Sequence, residues 1–331
     1  MYGVSSRLLL LALVAQTATP IITHRDYRSG YGQRPSTRGT AHPHPDLQGI
    51  WSFATLTPLE RPRELAGREY LTEAEAKAFV RQTIQRNDRD RRDGDAATDV
   101  GRAVNDYWFD RGTALARVDG KIRSSLITDP PDGQVPPTTE AARRSMAAKA
   151  ADARAHLADG PEDRSLQERC LTFNAGPPIL PGPYNNYIQI IQTADHLVIF
   201  SEMIHEARII PVAAAGDSPS HAPAALRFWQ GDPRAHWDGS TLVVDSTNFT
   251  GKASIRGSSA DLHLIERFSR TDANTLRYEF TVEDPTVFTT PWSAVLPMQR
   301  SNDRLFEYAC HEANYALEDI LRGARAQERR P

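Results

Sequence analysis

The sequence predicts a mainly β protein, an antiparallel up-and-down β-barrel with helices upstream that cover one face or one opening. Three observations carry that expectation. From residue 184 onward, strand-like runs follow one another through short turn-forming links, without the spacing of a β–α–β crossover. Within Thr275–Glu283, Leu276, Tyr278, Phe280 and Val282 alternate with Arg277, Glu279, Thr281 and Glu283, the period-two pattern of a strand with one wet face. The chain is also long enough, at 331 residues with 40% hydrophobic content, to bury a sizeable core.

The elements follow in chain order. Arg7, the apolar run Leu8–Ala15 and the small residues after it read as a secretory signal peptide over residues 1–18. Residues 19–45 lack apolar periodicity and read as a disordered linker. A single domain is expected over 46–325, opening with a short strand around Gly49–Phe53. Thr72 and Glu75 form a capping box that starts a helix over 72–87, and a solvated Asp/Arg-rich loop follows. Asp119–Gly120 sits between two strand-like runs and marks a hairpin. A second, Ala-rich helical insertion spans 139–159, with a short helix expected around Glu162–Arg169. The β region then runs in hairpins, the last of them pairing Trp292–Gln299 with Arg304–Cys310.

Charge and motifs exclude several classes. A net charge of −3 lacks the basic footprint of a nucleic-acid binder. The one apolar run is far short of the ~20 residues that a membrane-spanning helix needs. No P-loop, dinucleotide fingerprint, G-x-S-x-G elbow, H-E-x-x-H or C-x-x-C motif is present, so no cofactor is expected. The two cysteines, Cys170 and Cys310, fit a disulfide in an oxidising compartment. Closing a loop of that length contributes about 5 kcal/mol in the chain-entropy account. The alternatives are two buried thiols, or a catalytic thiol beside His311.

Several segments together resemble a family of exported bacterial proteins to which no activity is attached. They are Ser124–Gly133, Tyr184–Gln192, His205–Pro211, Thr241–Phe249, Leu262–Phe268 and Tyr308–Glu312. The resemblance covers most of 46–325 and implies export to the periplasm or medium, but assigns no functional residue. The expected architecture is similar to lipocalin-like (calycin) barrels as a fold only.

Candidate chemistry therefore comes from polar residues inside strand-like segments. If Leu264 and Phe268 point inward, Glu266 points inward with them, where desolvation raises a carboxyl pKa toward that of a general base. His205, with Arg208 nearby, and His311 are candidate proton carriers, and Arg208 is placed to hold an anionic or carbonyl oxygen. The competing structural account is that Glu266 pairs with an Arg on a neighbouring strand. His205, His263 and His311 are the three histidines that a metal site would need, but their spacing does not specify one. Trp108, Asp110 and Arg111 belong to an aromatic and charged cluster that reads first as a structural plug, with Trp108 in the core and Asp110–Arg111 as a local ion pair. It reads second as a lid for a sugar or aromatic ligand. Asn186 and Tyr187 follow a rigid turn at the expected barrel mouth, where the amides suit ligand hydrogen bonds and backbone capping equally. The leading functional expectation is an exported enzyme acting on a small molecule by cofactor-independent acid–base chemistry: a lyase, isomerase or hydrolase. A non-catalytic carrier of an apolar or glycosidic ligand, and a structural envelope module, are the alternatives. A small-molecule ligand is the expected partner in the first two.

Overall fold

The computed structural model describes residues 44–329, apart from 103–104, 174–175, 215–216, 218–219 and 253–254. The expected signal peptide and nearly all of the expected linker lie outside the described residues.

The protein is mainly antiparallel β-sheet with a few helices. The thirteen strands among the described residues are β1 (Gly49–Ser52), β2 (Tyr70–Leu71), β3 (Arg117–Val118), β4 (Lys121–Arg123), β5 (Ile127–Asp129), β6 (Tyr187–Gln192), β7 (His196–Ser201), β8 (Ala207–Pro211), β9 (Asp232–Asp238), β10 (Thr241–Thr247), β11 (His263–Arg270), β12 (Thr275–Glu283) and β13 (Trp292–Ser301). Ten form one sheet in the order β8-β7-β6-β1-β13-β12-β11-β10-β9, with β5 also pairing to β13. Two meanders, β6–β8 and β9–β13, are therefore joined by β1. The ladders do not close into a barrel. The edge strands do approach each other, through a single parallel bridge between Val212 and Ala235 and a 2.8 Å bond from Ala213 N–H to the Ala235 carbonyl.

Alternation along the long strands builds the core. On β12, Leu276, Tyr278, Phe280 and Val282 are buried, as their spacing predicts. They pack with Trp51, Phe53, Phe268 and Trp292, each of which is fully buried and contributes about 1.5–3 kcal/mol of hydrophobic stabilisation or more.

The helices are α1 (Glu73–Asn87), α2 (Ala96–Gly101), α3 (Glu140–Ala155) and α4 (Tyr315–Glu328). Thr72 and Glu75 cap α1 reciprocally, and Thr139 caps α3. Helix α1 buries Ala76 and Phe79 in a small second core with Leu65, Leu71 and Ile122, beside the sheet β2-β4-β3. The hairpin β3–β4 turns on Asp119 (φ 51°) and Gly120 (φ 77°), two consecutive left-handed residues, as a type I′ turn requires.

Three expectations need correction. The predicted loop at 87–104 contains the exposed helix α2, capped by Asp95. The predicted helix around Glu162–Arg169 is a single 3₁₀ turn at Pro161–Asp163. Arg304–Cys310 is not a strand, so His311 sits in a turn and not at a strand end. The reason is topological. One edge of β13 is taken by β12 and the other by β1 and β5, so a strand leaving β13 finds no free ladder edge.

Cys170 and Cys310 form a disulfide that ties the segment after α3 to the segment after β13. No helix among the described residues is long and apolar enough to cross a membrane. Replacing both cysteines by serine is expected to lower stability by about 2–5 kcal/mol in urea unfolding. The segment 302–329 should become the first site of proteolysis, and an unchanged midpoint would show that the bond contributes nothing.

Candidate functional site

Glu266 does point inward with Leu264 and Phe268, and it is fully buried. Its Oε2 accepts from Arg208 Nη2 at 2.5 Å and its Oε1 from Tyr278 Oη at 2.8 Å. Arg208 Nη2 also donates to Ser246 Oγ at 2.9 Å, while Tyr278 Oη accepts from the Ile179 N–H at 3.0 Å. Burial is the first cause that pushes the Tyr278 hydroxyl well above its usual pKa, and the Glu266 charge adds to it. Both Glu266 oxygens are thus engaged. The pair follows the structural account, except that Arg208 comes from β8 at the opposite end of the strand order.

The histidines expected beside Glu266 lie elsewhere. His205 is exposed in the turn after β7, where its ring meets Phe200 edge-on at 4.6 Å. His311 is also exposed, and neither histidine is bonded to Glu266. Among the described residues no three His, Cys, Asp or Glu side chains are grouped to hold a metal ion, so His205, His263 and His311 do not form a metal site.

Three of the five residues expected to bind a ligand lie together in one cleft. Trp108, Asp110 and Tyr187 line one cleft of about 850 Å³, with Tyr107, Phe109, Tyr184 and Phe306 supplying further aromatic surface. Tyr107 and Trp108 are 84% and 65% exposed, so they stand at the rim as open ring faces and not as a core plug. Asp110 Oδ2 is buried without a hydrogen-bond partner. Burial raises the Asp110 pKa, opposed only by a bond to the Asn186 backbone. The Tyr187 hydroxyl is raised first by burial and then by the charges of Asp110, Asp303 and Glu202, so three carboxyls converge around it. None of the three forms an ion pair within the described residues.

Asn186 and Arg111 position this cleft without lining it. Buried Asn186 accepts from the Gly182 N–H at 2.7 Å, donates to the Gly182 carbonyl at 3.0 Å and also donates to the Asp110 carbonyl. Arg111 bonds Asp106 at 2.9 Å and covers the Phe109 ring at 3.7 Å. Glu202, Asp303 and Phe306 are additions that sequence reasoning missed. Glu202 is buried, accepting from Asn185 Nδ2 at 2.5 Å and the Phe306 N–H at 3.2 Å. His205 and Arg208 drew attention to the far end of the Glu202–Glu206 turn, whereas the cleft uses its first residue.

A separate charge chain runs across the outer strand faces. His221 bonds Asp245 at 3.0 Å through Nε2 and the Asp232 carbonyl at 2.9 Å through Nδ1, which clips its loop to the sheet. His263 bonds Asp245 at 2.9 Å and Glu283 at 2.8 Å, so both its nitrogens meet carboxylates. The Asp245 bond is the largest cause that raises His263 to a pKa of about 9, with Glu283 adding to it against burial.

The chain matches no protein-family model, no curated protein and no solved structure among those compared.

Two outcomes follow from this geometry. Glu266→Ala should cost about 3–5 kcal/mol in urea unfolding, because it strands the Arg208 charge in the core. An apolar double replacement, Arg208→Met with Glu266→Leu, should recover most of that loss; a double variant as unstable as the single one would refute the account. His263 has a folded pKa above its ordinary 6.5, so its contribution is complete below about pH 6.5 and is lost as pH rises toward 9. Stability should therefore fall between pH 6 and 9.5 more steeply in the wild type than in His263→Ala. Parallel pH profiles would refute that linkage.

Proposed function

We propose that this chain is an exported hydrolase of small glycosidic molecules, which it holds in the aromatic cleft around Tyr187. The observation that carries this reading is Asp110. Its half-buried carboxyl has one unpartnered oxygen and a raised pKa in a cleft walled by aromatic rings. Perturbed carboxyls in a concave site are the physical mark of acid–base work. Open ring faces at Tyr107 and Trp108 suit the C–H face of a sugar, and the surrounding carboxylates accept its hydroxyls.

In this reading Asp110 enters protonated and gives its proton to the departing glycosidic oxygen. Asp303, an exposed lining residue of the same cleft, is the carboxylate that activates water. No cofactor takes part. The Cys170–Cys310 disulfide and the signal-like N-terminal sequence support export. The bridge between Val212 and Ala235 supports a barrel-like curl of the sheet. A non-catalytic carrier using the same cleft is the second reading. It is favoured by Glu202, whose two oxygens are already occupied and add no free carboxylate.

Chromogenic aryl glycosides, screened for turnover and for tryptophan quenching, test both. Asp110→Asn should cut turnover by about 10²–10⁴ while leaving binding within a few-fold. Trp108→Ala should weaken binding by at least about tenfold, or 1.4 kcal/mol. Binding without turnover by the wild type would select the carrier, and no binding of any glycoside would remove both readings.

A further inference from the structure

Beside the aromatic cleft lies a second one of opposite character. It measures about 480 Å³, within the roughly 300–1,000 Å³ typical of small-molecule sites. Its apolar wall comes from Leu166, Phe173, Trp229 and Ile255, of which Phe173 and Ile255 also pack against the main core. Among the described residues no acidic side chain lines it, whereas Lys252 and Arg256 do. Arg256 is neutralised by Glu60 at 2.7 Å. Lys252 has no carboxylate within ion-pair distance among the described residues and stands exposed at the edge of the apolar wall.

The acidic groups bonded to lining residues are already satisfied: Glu60 pairs with Arg256, and Glu168 pairs with Arg164 at 2.6 Å while accepting from Ser165 at 2.9 Å. Thr172 and Gln230, both lining residues, bond the carboxyl of Glu206, and Arg208 offsets its charge. Burial raises the Glu206 pKa against these bonds.

We infer that this cleft is a separate binding site for an amphiphilic monocarboxylate, its hydrocarbon body against Phe173 and Trp229 and its head at Lys252. An apolar wall alone accepts any hydrocarbon. A single uncompensated cation at its edge selects the sign of the head group. The neighbouring cleft has three carboxyls and one Arg304 on its wall, so the two clefts present different charge to a ligand.

The test is calorimetric titration of the full chain with three ten-carbon probes: decanoate, decan-1-ol and decyltrimethylammonium. Decanoate should bind saturably, one per chain, at least about tenfold more tightly than either of the others. Lys252→Glu should abolish that preference, and the milder Lys252→Gln should reduce it with the fold confirmed by circular dichroism. Trp229→Ala should weaken decanoate binding by at least about fivefold, while Trp108→Ala in the aromatic cleft should leave it unchanged. Equal affinity for the three probes, no saturable binding, a preference that survives Lys252→Glu, or sensitivity to Trp108→Ala would each overturn the proposal. Glycoside binding in the other cleft is unaffected by any of these results, so the two readings fail separately.

Discussion

The arrangement of the sheet depends on one buried ion pair, Arg208 with Glu266. Each charge loses its hydration on burial, a penalty of several kcal/mol, and only close contact with an opposite charge and further hydrogen bonds can offset it. Here the offset comes from elements far apart in the strand order: β8 supplies Arg208, β10 Ser246, β11 Glu266 and β12 Tyr278. A flat sheet cannot bring β8 to β11. The pair therefore requires a curled sheet, and the apolar side chains around it fill the space that the curl encloses. Tyr278 extends the network to the backbone of Ile179, fixing the segment that leads into β6.

The turn between β7 and β8 connects this core to both clefts. Ser201 N–H bonds the Glu206 carbonyl, and His205 N–H bonds that of Glu202, closing a tight loop. Closure forces Ile204 (φ 62°) and His205 (φ 57°) into the left-handed region. For a β-branched residue such as Ile204 this costs on the order of 1–3 kcal/mol and persists only where the surroundings enforce it. Glu202, at one end, reaches the aromatic cleft, and Glu206, at the other, is bonded by the wall of the apolar cleft. His205 is thus a backbone corner; Glu202 lines the aromatic cleft, while Glu206 is held behind the Thr172 and Gln230 wall of the apolar one.

Local signals in the sequence reported local structure faithfully. Thr72 with Glu75 and Asp119–Gly120 each act within a few residues, so their outcome depends on little else. The inward side chain of Glu266 was legible because strand alternation leaves it no other side. Its partner was not, since nothing local specifies that β8 curls onto β11. Helix α4 was missed although Leu317, Ile320, Leu321 and Ala324 carry helical spacing, because the many charges between them mask a stripe that is only half-buried. For the candidate cleft, Trp108, Asp110 and Tyr187 stood out as aromatic and acidic residues near rigid turns. Glu202 and Asp303 did not, being ordinary acids until the fold brings them to Tyr187.

The place of β1 bears on how the chain reaches this state. This four-residue strand comes first in the described chain, yet it lies between β6 and β13, with Trp51 opposite Ile188 on one side and Arg300 on the other. During synthesis it leaves the ribosome long before either neighbour exists. The central ladder cannot form until β13 has been made, so the emerging chain holds β1 without its β13 partner until about residue 301 has been added. Such late, long-range completion slows folding and exposes strands to wrong partners. It also keeps the unfinished chain from setting into its final shape, the pliable condition in which a polypeptide can be threaded through a narrow pore.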